Sequence, residues 1–155
     1  MSLQQELEAT YQKFYQSLDE ATPTNALSML DHTGLPAGAA DAFKSLWQSP
    51  EKKAWMKTEL YPKFDPNAFL GIRNDGDWVG YYYSTTTTIS MNGEDTIKPS
   101  IGVLRFHKVD GAWKLYQQMS SAAAYEEDDW SNPKDKLDMI LAKRTNIKVV
   151  PESYV

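Results

Sequence analysis

Apolar residues recur every three or four positions near the N-terminus. One stripe consists of Leu3, Leu7, Tyr11, Phe14 and Leu18. This spacing is typical of an amphipathic helix that turns one face toward a core. The first element is therefore predicted to be a helix.

Three further helix starts are marked by a capping side chain directly before a proline. These dipeptides are Thr22-Pro23, Ser49-Pro50 and Asn132-Pro133. The pattern predicts helices over Pro23–His32 and Pro50–Leu60, with another between them over Ala37–Gln48. Trp55 is predicted to be the main apolar anchor of the helix that begins at Pro50.

The central part of the chain alternates in the manner of β-strands. Asp110-Gly111 separates two alternating runs, and such a dipeptide favours a tight two-residue turn. The run Phe69–Asn74, the dipeptide Asp75-Gly76 and the run Asp77–Ile89 predict a second hairpin. The segment Met91–Pro99 is interpreted as a loop. Together these patterns predict an antiparallel meander.

A turn at Asp110-Gly111 sets the predicted pairing of its strands. The expected partners are Val109 with Ala112, Phe106 with Leu115, and Leu104 with Gln117. Period-two alternation turns Leu104, Phe106, Trp113 and Leu115 toward the helices, on what we term the core face. Arg105, His107, Lys114 and Tyr116 fall on the opposite side, termed the outer face, which is expected to be wetter. Gly71 and Gly80 are strand glycines that mark bulges or bends.

The pattern changes after Ala124. An acidic patch, Glu126–Asp129, is followed by a short predicted helix with Leu137, Ile140 and Leu141 on one side. We therefore predict one α+β domain over residues 1–124, with N-terminal helices on a curved, cone-like antiparallel meander. Residues 125–155 are predicted to form a C-terminal helical extension that packs on the same domain.

Two segments resemble the NTF2-like superfamily, whose SnoaL-like members have a cystatin-like α+β cone. YQKFYQSLD, Tyr11–Asp19, resembles the first helix of that fold. FHKVDGAWKLY, Phe106–Tyr116, is similar to the hairpin before its last strand. Members include enzymes, small-ligand binders and protein-interaction modules, so the resemblance implies a fold and no particular activity.

Composition narrows the function classes. The chain has 155 residues, a net charge of −5 and no cysteine. The cations are not clustered, which disfavours nucleic-acid binding, and no thiolate chemistry or disulfide exists. No apolar run has the length of a membrane span, and no signal peptide is recognised, so a cytoplasmic protein without membrane contact is expected.

Acid–base candidates are few. Asp31-His32 is not an obvious pair because adjacent helical residues point in different directions. His107 is most simply a solvated strand residue, and two separated histidines do not make a metal site. Asp31, Asp41 and Asp65 are the carboxylates that a cone-type enzyme could bury. No nucleophile, phosphate loop or dinucleotide motif is present, so no catalytic residue, metal or cofactor is predicted.

The first functional hypothesis is a domain that binds a small apolar molecule in an aromatic-lined pocket. The residues expected to line it are Trp47, Trp55, Tyr82, Phe106, Trp113 and Gln117, with Gln117 supplying an orienting hydrogen bond. The alternative is an interaction module that forms a homodimer, or binds another protein, through the outer face. A cone-type acid–base enzyme is the third hypothesis.

Overall fold

The computed structural model describes residues 1–31, 38–61 and 63–121. Helices precede a four-stranded antiparallel sheet with the order β1-β2-β3-β4. The helices are α1 (Leu3–Ser17), α2 (Thr24–Ser28), α3 (Ala39–Ser45) and α4 (Pro50–Trp55), and the strands are β1 (Phe69–Asp75), β2 (Trp78–Met91), β3 (Glu94–Val109) and β4 (Ala112–Ser121). The predicted α+β class is confirmed.

The first helix forms as its pattern predicts. Ser2 caps α1 through a reciprocal capping box with Gln5, which satisfies two otherwise unpaired backbone groups. Leu7, Tyr11 and Phe14 of its apolar stripe are buried, and Leu18 follows them into the core. They pack against Val79, Tyr81, Leu104, Phe106 and Leu115 of the sheet. This layer of α1 on β2, β3 and β4 is the hydrophobic core.

The later helices are shorter than predicted. α2 ends at Ser28, and α3 passes into a 3₁₀ turn over Leu46–Gln48. α4 starts at Pro50, with Ser49 as its N-cap residue, and passes into a π-helix over Met56–Leu60. The prediction that Trp55 anchors this segment is wrong, because Met56 is fully buried whereas Trp55 is 48 % exposed. Successive helical residues point about 100° apart, so one position decides which side chain enters the core.

The hairpin at Asp110-Gly111 is confirmed. Both residues have positive φ, as a type I′ turn requires. Val109 pairs with Ala112 and Phe106 with Leu115, as predicted. The predicted pairing of Leu104 with Gln117 is wrong, because a bulge between Arg105 and Phe106 shifts the register and sets Leu104 opposite Gln118. Leu104, Phe106 and Leu115 are buried on the core face, and Trp113 packs partly buried at its margin.

The other two turns differ from their predicted positions. Asp75 pairs with Trp78, so the turn residues of the first hairpin are Gly76 and Asp77, one position later than predicted. Gly76 alone has positive φ there, as the first turn residue of a type II′ turn does. The loop predicted over Met91–Pro99 is wrong. Asn92-Gly93 is itself a tight turn with positive φ at both residues, and β3 begins at Glu94.

Register shifts also occur where β1 begins. The pairing of β1 with β2 is irregular between Phe69 and Gly71, so the bulge predicted at Gly71 is confirmed.

The predicted extension over residues 125–155 and the ends of two predicted helices, His32 and Ala37, lie outside the described residues. The division into a 1–124 domain and an extension stays a prediction.

Gly111→Val should lower the free energy of unfolding by about 1–3 kcal/mol, because a β-branched residue is strained at the φ of +80° that Gly111 adopts. Gly111→Asn is the matched control, since asparagine tolerates this backbone region. Urea denaturation of the three proteins measures the difference. Equal stability of the valine and asparagine variants would contradict a tight turn.

Candidate functional site

A cavity of about 160 Å³ lies between α1, the segment 63–68 and the hairpin of β2 and β3, which we term the long hairpin. Tyr11, Phe64, Tyr83 and Leu104 give it aromatic and apolar walls. Ala68, Lys63, Asp65, Ser84 and Thr85 complete its lining. It therefore has the combination that small-molecule sites show, a largely apolar surface with a few polar groups.

Tyr83 reaches this cavity because its cross-strand partner is a glycine. Tyr83 pairs with Gly102 across β2 and β3. A Cβ built on Gly102 would lie 2.1 Å from the Tyr83 ring, so no other residue fits without moving that ring. The ring thus covers the glycine and forms one wall of the cavity.

The tyrosines on this side of the sheet are strongly favoured in their neutral form. Burial raises the pKa of Tyr11 far above its ordinary value, and neighbouring Tyr83 adds to the effect. Burial also raises the pKa of Tyr81, whose hydroxyl donates a 2.6 Å hydrogen bond to Glu8. These phenols therefore remain hydrogen-bond donors well into the alkaline range.

The outer face carries a pair of ionisable side chains, Asp31 and His107, that no sequence pattern predicted. His107 Nδ1 lies 2.7 Å from Asp31 Oδ2. Because a carboxylate accepts hydrogen bonds, Nδ1 donates, which fixes the tautomer of the imidazole. Asp31 is 2 % exposed, and the His107 side chain is 18 % exposed. A buried carboxylate that orients a partly accessible imidazole is the arrangement used for proton transfer.

Backbone pairing brings Asp31 to this position. The segment around Leu30 forms a parallel bridge with Leu115 of β4. The Asp31 N–H donates to the Leu115 carbonyl at 2.9 Å, and the Leu115 N–H donates to the Met29 carbonyl at 2.8 Å. Asp31 is therefore held near His107 by an isolated β-bridge beside β4, which no sequence pattern predicted.

Aromatic rings hold the imidazole in place. The Trp78 and His107 rings stack with centroids 3.6 Å apart and planes inclined by 2°. Tyr116 meets Trp78 edge-on at 5.0 Å. Burial raises the pKa of Tyr116, and the Asp31 charge raises it further. The prediction that the outer face is wet is wrong at Arg105 and Tyr116, which are both buried.

None of the six residues predicted to line a pocket is among the residues that line this cavity. Phe106 lies in the core, and Tyr82 is buried on the outer face, since it pairs with Val103 and not with a core-face residue. Trp47 packs on Phe43 and donates to the Glu20 carbonyl at 3.0 Å. Trp113 lies under Lys108 at the hairpin end, and Trp55 is exposed. Gln117 is opposite Arg105 in the register, and its side chain is outside the described set.

The three predicted carboxylate candidates have different surroundings. Asp31 is buried beside His107, whereas Asp41 is exposed on α3. Asp65 accepts a hydrogen bond from the Asn67 N–H at 3.0 Å and caps a 3₁₀ turn over Pro66–Ala68 at the cavity rim. In residues 1–31, 38–61 and 63–121, no group of three or more His, Asp or Glu side chains could hold a metal ion.

Two solved structures are similar to this chain. An NTF2-like protein with a cystatin-like fold from Novosphingobium aromaticivorans is 12 % identical, with 82 % of this chain and 84 % of that chain covered, at a TM-score of 0.46. A putative calcium/calmodulin dependent protein kinase II association domain from Xanthomonas campestris is 17 % identical, with 79 % and 88 % covered, at 0.40. The first of these structures is described as NTF2-like, which is the superfamily that the segments Tyr11–Asp19 and Phe106–Tyr116 resemble.

At these identities and TM-scores the likenesses carry no argument about activity, ligand or partner. No family model matches the chain, and no curated protein matches it. Across the helices that the structure describes, none is both long and apolar enough to cross a membrane. The function must therefore be argued from the side chains of this chain.

Alkaline pH should destabilise the fold through its buried tyrosines. Burial raises the pKa of Tyr61 from 10.0 to about 12, so its contribution is complete below pH 10 and is lost as the pH rises toward 12. One such proton gives a slope approaching about 1.4 kcal/mol per pH unit. Tyr61→Phe should reduce the loss of unfolding free energy between pH 9 and pH 11, measured by urea denaturation. An unchanged pH dependence would show that Tyr61 ionises normally in the folded state.

Proposed function

We propose that the chain binds a small apolar molecule in the cavity beneath α1. The observation that carries this proposal is the lining by Tyr11, Phe64, Tyr83 and Leu104. These residues differ from the lining residues expected from the sequence, but the proposed kind of ligand, a small apolar molecule, is the one that the sequence analysis predicted.

The size of the cavity narrows the ligand class. An apolar cavity of about 150 Å³ accepts benzene, and this cavity measures about 160 Å³. The ligand is therefore one aromatic or aliphatic ring with few substituents. Ser84 and Thr85 supply hydroxyl groups at the wall. A ring that bears a hydroxyl group, such as p-cresol, matches this lining.

Filling the cavity should weaken binding. p-Cresol titrated into the ¹⁵N-labelled protein is expected to shift the amide signals of Ser84 and Thr85 in a saturable manner. Ala68→Leu adds volume at the lining and should weaken the affinity at least tenfold, which corresponds to about 1.4 kcal/mol. Ala54→Leu makes the same change at an exposed position of α4 and should bind like the unmodified chain.

Gly102→Ala offers an independent test, because the added methyl group must displace the Tyr83 ring. It should alter affinity for p-cresol while the hairpin remains paired. Absence of saturable binding to the unmodified chain, or equal binding by Ala68→Leu, would overturn the proposal.

Proton transfer at Asp31 and His107 is the second candidate function. It is favoured by the 2.7 Å contact and by the burial of Asp31. In this hypothesis Asp31 orients the imidazole and stabilises its protonated form, and Nε2 exchanges the proton with the substrate. Abstraction of a proton next to a carbonyl group and its return to the carbon need no further reactant.

Deuterium exchange into cyclohexanone in D₂O tests this second candidate. Asp31→Asn should slow the enzyme-dependent exchange by about 10²–10⁴-fold, because the imidazole loses the carboxylate that orients it and stabilises its protonated form. Asp41→Asn, an exposed change of the same kind, should leave the rate unchanged. If Asp31→Asn and the unmodified chain exchange deuterium at equal rates, the role of Asp31 is limited to anchoring residues 29–31 on β4.

A partner bound to the outer face is less well supported. Arg105 and Tyr116, which motivated that hypothesis, are buried within a single chain. Lys114 is also engaged, since its ammonium group donates to the Ser28 carbonyl at 2.7 Å. A homodimer, if it forms through the sheet, needs a different surface. The expected absence of nucleic-acid and membrane contacts and the expected cytoplasmic location stay predictions.

A further inference from the structure

The long hairpin extends beyond the rest of the sheet. β1 begins at Phe69, opposite Tyr83, and the pairing of β4 ends at Ser121, opposite Ile101. The segment from Thr85 to Ser100, which we term the ribbon, consists of two paired strands joined by the Asn92-Gly93 turn. Among the described residues, β3 is the only strand beside this part of β2. Two strands alone are marginally stable in water, so additional pairing would stabilise the ribbon.

The two long edges of the ribbon differ in their chemistry. The β3 edge contains Lys98 and Pro99, and a lysine or a proline at a sheet edge hinders the addition of another strand. The β2 edge reads TTTTIS over residues 85–90, with neither charge nor proline. Threonine and isoleucine favour extended strands. The β2 edge is therefore the one suited to accept a further strand.

The ribbon also exposes apolar surface. Met91 is 67 % exposed and Ile97 is 70 % exposed. They are two of the four large hydrophobic side chains that stand exposed in the described part of the chain, with Met1 and Trp55 as the others. Ile97 pairs with Thr88, and Met91 lies three positions after Thr88, so the ribbon exposes one apolar side chain on each of its two faces.

We propose that the β2 edge of the ribbon pairs with the same edge of a second copy of this chain. Two identical strands related by a two-fold axis run antiparallel, so the contact is self-complementary and closes as a dimer. Self-pairing of residues 85–90 sets uncharged side chains against each other, and no like charges meet. The two sheets then become one continuous sheet. This inference does not rest on the proposed ligand or on the Asp31–His107 pair, although Thr85 at the start of the segment also lines the cavity.

A matched pair of charge substitutions tests the proposal. Thr86 and Thr96 are both exposed, on the β2 and β3 strands of the ribbon. Thr86→Lys adds a charge to the proposed interface and should raise the dimer dissociation constant at least tenfold in sedimentation equilibrium. Thr96→Lys should leave it unchanged. Circular dichroism melting establishes whether both variants fold.

Disulfide trapping decides the matter without destabilising substitutions. The chain contains no cysteine, so any disulfide comes from an introduced residue. Single cysteines at each of residues 85–90 should cross-link most rapidly near the two-fold axis and more slowly away from it. A control cysteine at position 96 should cross-link slowly. A monomer at all concentrations, a dimer that survives Thr86→Lys, or equal cross-linking at position 96 would each overturn the proposal.

Discussion

The pairing of β2 with β3 is the interaction on which the rest of the structure depends. Fourteen residues of β2 pair without a register break from Trp78 to Met91. Strand side chains alternate, so this one ladder fixes what lies on each face. Its core face supports α1 and one wall of the cavity, its outer face carries His107 and Trp78, and its far end forms the ribbon. An error of one residue in this register would exchange the two faces.

Local signals in the sequence predicted the parts of the fold that depend on neighbouring residues. The α1 stripe and the Asp110-Gly111 turn are such cases, because helix periodicity and turn conformation are set within a few positions. The bulge near Arg105 was not predictable from alternation, which assumes an unbroken register. Met56 replaced Trp55 in the core because one helical position changes direction by about 100°. Asn92-Gly93 was a recognisable turn signal, but its polar flanks did not alternate like strands.

The candidate sites were predicted less well, since both depend on contacts distant in sequence. Alternation correctly grouped Arg105, His107 and Tyr116 on one face, yet it could not predict their burial. Asp31 and His107 are 76 residues apart, and the bridge between Leu30 and Leu115 that unites them leaves no sequence pattern. The cavity likewise combines α1, the segment 63–68 and two strands. An aromatic lining was predicted from Trp47, Trp55, Tyr82, Phe106 and Trp113, whereas the rings that line this cavity are Tyr11, Phe64 and Tyr83.

The two faces of the sheet are suited to different chemistry. Beneath α1, burial keeps Tyr11 and Tyr81 neutral, so that side can hold an uncharged ring. On the outer face, a carboxylate orients an imidazole that is held flat against an indole ring. An imidazole is the side chain best suited to exchange protons near neutrality. Because the sheet separates the two sites, a ring bound under α1 cannot contact His107. The proposed ligand binding and the proposed proton transfer are therefore separable, and a local substitution that removes one need not impair the other.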